Sequence, residues 1–135
     1  MTTGAATADD AVRIVLEAFA AVEARDDEGL ARLSHPSVTF HWPEPIARRK
    51  LTYDQIWDPY QPTPIERSMD PRVVAAGENE VAVVWHQRGV NVNGERLDCE
   101  VFGLYEVRDG LLARGQMFYF DTVAVVKFLL TDPPR

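Results

Sequence analysis

The chain has one cysteine, Cys99, in 135 residues. A lone thiol forms no internal disulfide, which excludes a disulfide-stapled secreted scaffold and suits a reducing cytosol. A cytoplasmic protein is the expectation. Histidine is scarce as well. His35, His41 and His86 show neither HxH nor HExxH spacing, so no metal site and no cofactor is expected. Positive charge is the minority sign, with 14 Lys and Arg against 21 Asp and Glu and a formal net charge of -7. That argues against nucleic acid, whose phosphates want a basic face, and against an anionic membrane surface. No hydrophobic run approaches the ~20 residues of a membrane span. The first apolar stretch is broken by Arg13 and Glu17, and no signal peptide is visible. There is no Gly-rich phosphate loop, no G-x-S-x-G elbow, no internal repeat and no linker.

What is present suits a packed domain. Apolar residues make up 46% of the chain, and its length fits a single domain, residues 1–135, with a real core. Thr7 with Asp10 reads as a capping-box-like helix start. Val12, Val15, Leu16, Phe19 and Val22 then fall on one helical stripe. A second short helix carries Leu30 and Leu33 and stops before Pro36, since the residue before proline avoids the helical region. Val38 to Trp42 alternates as a strand, Thr52 to Tyr60 reads as a short helix, and Arg72 to Ala76 as a further strand. Four prolines between Pro59 and Pro71 mark a loop.

The last third is the most patterned. Val81 to Val92 and Arg96 to Val107 are β-like runs joined by Asn93-Gly94, and Leu111 to Phe120 follows a turn at Asp109-Gly110. Asn-Gly and Asp-Gly are strong hairpin signals because tight turns need φ > 0 at their central residues. The third run passes through Tyr119-Phe120-Asp121 into a helix, Thr122 to Leu130. The order α-α-β-α-β-β-β-β-α, with a mainly antiparallel sheet, is α+β. A curved sheet closed by helices makes a cup that suits one small apolar ligand. The expected packing is an antiparallel sheet on the Val12–Val22 helix.

"VFGLYEVRDG" (101–110) and "YFDTVAVVKFL" (119–129) give the chain a resemblance. Its layout is similar to the NTF2-like cone, and within it to SnoaL-like polyketide cyclases and the limonene epoxide hydrolase group. The resemblance implies a one-domain cone with a pocket on one sheet face. It also implies acid/base chemistry on a hydrophobic, oxygenated small molecule of polyketide or terpenoid kind: cyclisation, isomerisation or hydrolysis. A small-ligand-binding module without catalysis is the alternative, because this fold hosts many functions. The hydrolase group carries an Arg-x-Asp and a later Asp. Those positions hold Val84, His86, and Met117 or Phe118 here, the last choice depending on one extra residue, a β-bulge, between Gly110 and Asp121.

Strand parity supplies the candidate site. Counting across Asn93-Gly94 puts His86 on the inner face with Cys99, Val101, Gly103 and Tyr105, together with Val84 and Arg88. His86 is then either a general acid/base or a satisfied core histidine. His41, Tyr105 and Asp121 are the partners that would polarise a carbonyl or hold water. His41 faces the surface if Val38, Phe40 and Trp42 point inward, and Asp121 is alternatively a helix cap. Trp57, Tyr53 and Tyr60 sit where a pocket mouth would lie. Val101, Gly103, Met117 and Phe118 complete the expected lining, Gly103 leaving space for ligand. Cys99 reads as a small apolar residue, and Arg48-Arg49-Lys50 as a solvated loop or as a guide for an anionic substrate. Trp85, Gln87, Asp98, Glu100, Phe102 and Glu106 are expected on the opposite face, whose aromatics would seek cover in a homodimer.

Overall fold

The computed structural model describes residues 7–130. In chain order it has α1 (Ala8–Glu23), α2 (Asp27–Leu33), β1 (Ser34–His41), α3 (Glu44–Ala47), α4 (Tyr53–Trp57), a 3₁₀ turn (Asp58–Tyr60), α5 (Pro64–Arg67), β2 (Arg72–Ala76), β3 (Glu80–Val90), β4 (Arg96–Arg108), β5 (Leu111–Tyr119) and α6 (Thr122–Leu129). The strands form one curved, unclosed sheet in the order β1-β5-β4-β3-β2. Strands β2 to β5 are an antiparallel meander, but β1 runs parallel to β5. The sheet is mainly antiparallel, as expected, with one parallel pair at an edge. Between β1 and β5 lie α3 to α5 and three strands, and a parallel neighbour needs that kind of long crossover. Pro36 sits inside β1, which an edge strand tolerates.

Helix α1 starts at the expected capping box: Asp10 N–H donates to Thr7 Oγ1 at 3.1 Å and Thr7 N–H to Asp10 Oδ2 at 3.3 Å. Its buried stripe is Ala11, Ile14, Val15, Ala18 and Phe19, slightly rotated from the expected one. The small alanines let the helix lie close on the sheet, and the bulkier Val12 and Leu16 sit at its flank. Helix α6 is capped by Asp121, whose Oδ1 accepts from Ala124 N–H at 2.9 Å. Phe128 of α6 stacks on Trp57, with centroids 6.1 Å apart and planes at 20°.

The two hairpins differ, and the difference decides the site. At Asp109-Gly110 the expected two-residue turn forms, with φ of 56° and 74°. The anticipated extra residue of β5 is a bulge at Ala113, between the pairs Glu106–Arg114 and Val107–Leu112. At Asn93-Gly94 the loop instead has three residues, Val92 to Gly94, with Gly94 at φ 77°. Asn91 N–H donates to Glu95 O at 2.9 Å. Asn91 Oδ1 accepts from the N–H groups of Asn93 and Glu95, both at 3.0 Å. One added loop residue shifts the register by one, and every side chain changes face.

The Pro59–Pro71 segment is more structured than a loop. In α5, Glu66 reaches back to Thr63 N–H at 3.1 Å and to its hydroxyl, and receives Arg96 Nη1 at 3.1 Å. The Thr63 hydroxyl first, then Arg96, hold the Glu66 carboxyl down to about 2, against burial. A depressed folded pKa gives stability that is present above the unfolded value, 4.5, and lost as pH falls towards 2. Urea midpoints across that window should fall more steeply for the native chain than for Glu66→Gln. Among the described residues no helix is long and apolar enough to cross a membrane.

Candidate functional site

The inner face of the sheet and α1 enclose a cavity of about 230 Å³. That is a little below the ~300–1,000 Å³ of pockets for drug-sized ligands, so the space suits one or two fused rings. Its floor is Trp85, Tyr105, Leu112 and Met117 from the sheet, with Phe40 and Trp42 at one side. Val15, Ala18, Phe19 and Val22 of α1 form the roof. Phe19 meets Trp85 and Tyr105 edge-on, at 5.7 and 5.5 Å. Arg25, Asp27, Tyr53, Asp54, Asp58 and Gln61 supply the polar part of the lining. The site is thus a mostly apolar chamber with polar groups in part of its wall.

The floor depends on two glycines. A Cβ on Gly103 would collide with the Tyr105 hydroxyl, and one on Gly115 would lie 2.9 Å from Phe40 Cδ1. Gly103 therefore makes room for the Tyr105 ring, not for ligand as the sequence reading had it. Burial pushes the Tyr105 phenol well above its ordinary pKa, so it remains a donor at neutral pH. The indole N–H of Trp85 is buried without a hydrogen-bond partner among the described residues. It lies close enough to the Tyr105 hydroxyl to ease that shift, though outside hydrogen-bond geometry.

Polar groups at the α4 end are held in place. Gln87 is fully buried. Its Nε2 donates to Tyr53 Oη and its Oε1 accepts from Tyr119 Oη, each at 3.4 Å. Burial raises the Tyr53 pKa; Gln87 and then Gln61 partly offset it. Arg25 follows the end of α1 in the left-handed region, φ 54°. Its Nη2 donates to the backbone oxygens of Gln61 at 2.8 Å and Asp58 at 3.2 Å, and its Nε lies 3.5 Å from Asp58 Oδ1. Asp54 makes no ion pair among the described residues.

Of the residues proposed from sequence, Tyr105, Tyr53 and Met117 lie in the cavity wall. His86 does not. It pairs with Glu100 on the outer face, where its Nδ1 is 2.8 Å from Asp98 Oδ1. Val84 and Arg88 share that face, Val84 opposite Phe102 and Arg88 opposite Asp98. The three-residue loop explains all three corrections, since the count assumed two. Arg88 is tied to Asp98 at 3.1 Å and Asp70 at 2.8 Å. Burial pushes the Asp98 carboxyl up, but hydrogen bonds from His86 and Arg88 outweigh it and leave it below its ordinary value. Phe118 is exposed on the same side, against Phe102 at 6.0 Å.

His41 also faces outward. Its Nε2 lies 3.1 Å from Thr39 Oγ1, while Phe40 and Trp42 take the inner positions. Asp121 is occupied as the α6 cap. Trp57 and Tyr60 are core between α4 and α6, Tyr60 donating to Leu129 O at 3.2 Å. Val101 is fully buried behind the floor. Cys99 has its thiol pushed up to about 11, chiefly by burial, and behaves as an apolar side chain.

The sequence reading missed Trp85, Gln87, Arg25, Asp54, Asp58 and Gln61. A signal for the first two was present. Val81, Val83 and Trp85 are a more apolar set than Val84, His86 and Arg88, and the turn count overrode it. Nothing local marked the others, which reach the site from three separate segments. Among the described residues no cluster of three His, Cys, Asp or Glu is placed to hold a metal.

The geometry has relatives. Residues 15–115 match the SnoaL-like domain. No curated protein matches the sequence. Among solved structures, TerC co-crystallised with polyporic acid superposes with a TM-score of 0.68 at 20% identity, over 90% of this chain and 99% of that one. Bal32a, from a soil-derived mobile gene cassette, gives 0.68 at 17% identity, over 90% and 98%. A candidate polyketide cyclase from Xanthomonas campestris pv. campestris gives 0.67 at 18%, over 88% and 98%. These likenesses show the fold, and the match over most of the chain shows the family: this chain belongs to the SnoaL-like domain family.

Proposed function

We propose that this protein takes a small, mostly apolar, oxygen-bearing molecule into the cavity and rearranges it by proton transfer, as a cyclase or isomerase. The observation that carries this is the buried Trp85 N–H, which has no partner among the described residues. An unsatisfied buried donor costs about 1–3 kcal/mol, and a ligand oxygen beside Trp85 and Tyr105 would satisfy it. Two donors in a water-poor chamber would also stabilise the negative charge that grows on a carbonyl oxygen as an adjacent C–H is deprotonated. Asp54 at the rim is the carboxylate we assign as base. His86 and His41, on the outer face, have no part in this reading, and neither does epoxide hydrolysis. TerC, of the same fold, was crystallised with polyporic acid, which supports occupation by an oxygenated organic compound.

The test uses 1-tetralone, a bicyclic ketone with exchangeable C2 protons. The protein should bind it, with tryptophan fluorescence quenched, and should speed exchange of those protons in D₂O above buffer, followed by NMR. Binding without acceleration would convert the reading to a ligand-binding module. The outward placement of both strand histidines favours that second reading.

The outer sheet face bears on partners. Trp85 and Gln87 were expected there and are inside. The face instead presents His86, Arg88 and Arg114 beside Asp98, Glu100 and Glu106, around Phe102 and the half-exposed Phe118. Both charge signs around an apolar centre allow such a patch to meet a second copy of itself across a two-fold axis. We assign it to a homodimer. Light scattering should give a dimer at micromolar concentration and a monomer for Phe118→Asp.

A further inference from the structure

A second chemistry-bearing cluster lies where β1 begins beside the β4–β5 turn. The parallel pairing of Ser34 with Leu112 sets the start of β1 next to that turn, and four side chains meet there. Ser37 Oγ lies 2.8 Å from His35 Nδ1, and Ser37 N–H donates to the same nitrogen at 3.1 Å. A backbone N–H only donates, so Nδ1 is the bare nitrogen and the neutral ring carries its proton on Nε2. Nε2 faces Asp109 Oδ2 at 3.6 Å, an ion-pair distance. Arg108 Nη2 donates to Ser37 Oγ at 3.2 Å. The hydroxyl thus accepts from a cation and turns its own hydrogen to an imidazole. None of the four residues lines the cavity. Ser37 is exposed, while His35 is half-buried, so the hydroxyl is open to a reagent and its base is held. A hydroxyl, a base and an orienting carboxylate are recognised by geometry and roles. Here the two ring nitrogens are exchanged relative to the serine proteases, which leaves the roles as they are.

We propose that Ser37 is a nucleophile activated by His35, and that this corner of the molecule cleaves small aryl esters, an activity separate from that of the cavity. Ser37 Oγ attacks the ester carbonyl carbon and passes its proton to His35 Nδ1. The bond from carbon to the aryl oxygen breaks, and the phenolate leaves with the electron pair. A water then gives a proton to His35 and attacks the acyl-serine, which releases the acid and restores the hydroxyl. The net change is ester and water to acid and phenol. The Arg108 guanidinium beside Oγ favours the negative charge of the tetrahedral intermediate. Asp109 faces the ring proton and steadies the imidazolium. Ser37 stands exposed on an edge strand, so little binding energy is on hand to lower the barrier. The leaving group must supply the reactivity, which selects aryl esters over alkyl esters and amides.

Two reagents test this on the full chain. Phenylmethanesulfonyl fluoride traps a serine oxygen irreversibly as fluoride leaves. Peptide mass spectrometry should find it on Ser37. 4-Nitrophenyl acetate should be hydrolysed by the native chain, and that rate should disappear once Ser37 is sulfonylated. His35→Gln should slow both labelling and hydrolysis by ~10²- to 10⁴-fold, the usual worth of one general base. Asp109→Asn should cost about fivefold or less, because the ion pair is largely exposed. Each variant is paired with a melting curve. If His35→Gln does not fold, labelling of the native chain and its effect on hydrolysis decide. No label on Ser37, or labelling equally fast in folded His35→Gln, overturns the proposal. So does hydrolysis that survives full sulfonylation of Ser37, since surface imidazoles would then account for it.

Discussion

Asp54→Asn should bind 1-tetralone about as the native chain does, yet lose ~10²- to 10⁴-fold of any C2 exchange rate, the usual worth of one general base. The substitution keeps shape and removes the proton acceptor. Asp54 is on the exposed outer turn of α4 and makes no ion pair among the described residues, so the fold should not suffer. Asp58 is the control. It is held by Arg25 at 3.5 Å, and Asp58→Asn should loosen the α4 end with a smaller effect on rate. Full exchange activity in Asp54→Asn would move the base to Asp27 or Asp58. Loss of binding together with exchange would make Asp54 a wall residue.

Trp57→Ala should be the most damaging core change, about 3–5 kcal/mol by urea denaturation. Trp57 is fully buried. Its ring stacks on Phe128 at 6.1 Å and meets Tyr60 edge-on at 6.5 Å, so it joins α4 and the 3₁₀ turn to α6. Its indole N–H is buried without a partner among the described residues, an unmet cost of about 1–3 kcal/mol. Trp57→Phe removes that cost along with some packing, and should therefore lie within about 1 kcal/mol of the native chain. If alanine and phenylalanine are equally destabilising, the stacking account is wrong. Because α4 carries Tyr53 and Asp54, the alanine variant should also bind tetralone poorly.

The elements were more legible than the faces. Thr7-Asp10, the Asp109-Gly110 turn, the bulge of β5 and the Asp121 cap are local features, each stated by a few neighbouring residues. The family was legible for a similar reason, since the strand, turn and helix ending the chain are contiguous. Inward or outward placement is not local. It hung on one residue of loop length, set by the Asn91 side chain bonding to Asn93 and Glu95. The parallel pairing of β1 with β5 and the convergence of Arg25, Tyr53 and Gln61 depend on long-range topology that no periodicity records.

Arg25 adopts a backbone conformation that a glycine would adopt with less strain, at an expected penalty near 1 kcal/mol. Glycine there would leave this part of the cavity wall untied, because the guanidinium holds Asp58 and Gln61. Those contacts are partly exposed, so each is weak and screened by salt. The apolar floor and roof are not. Ionic strength should then act on how fast a guest enters and leaves, with little effect on how tightly it is held. One strained residue would separate the kinetics of exchange from the affinity of the chamber.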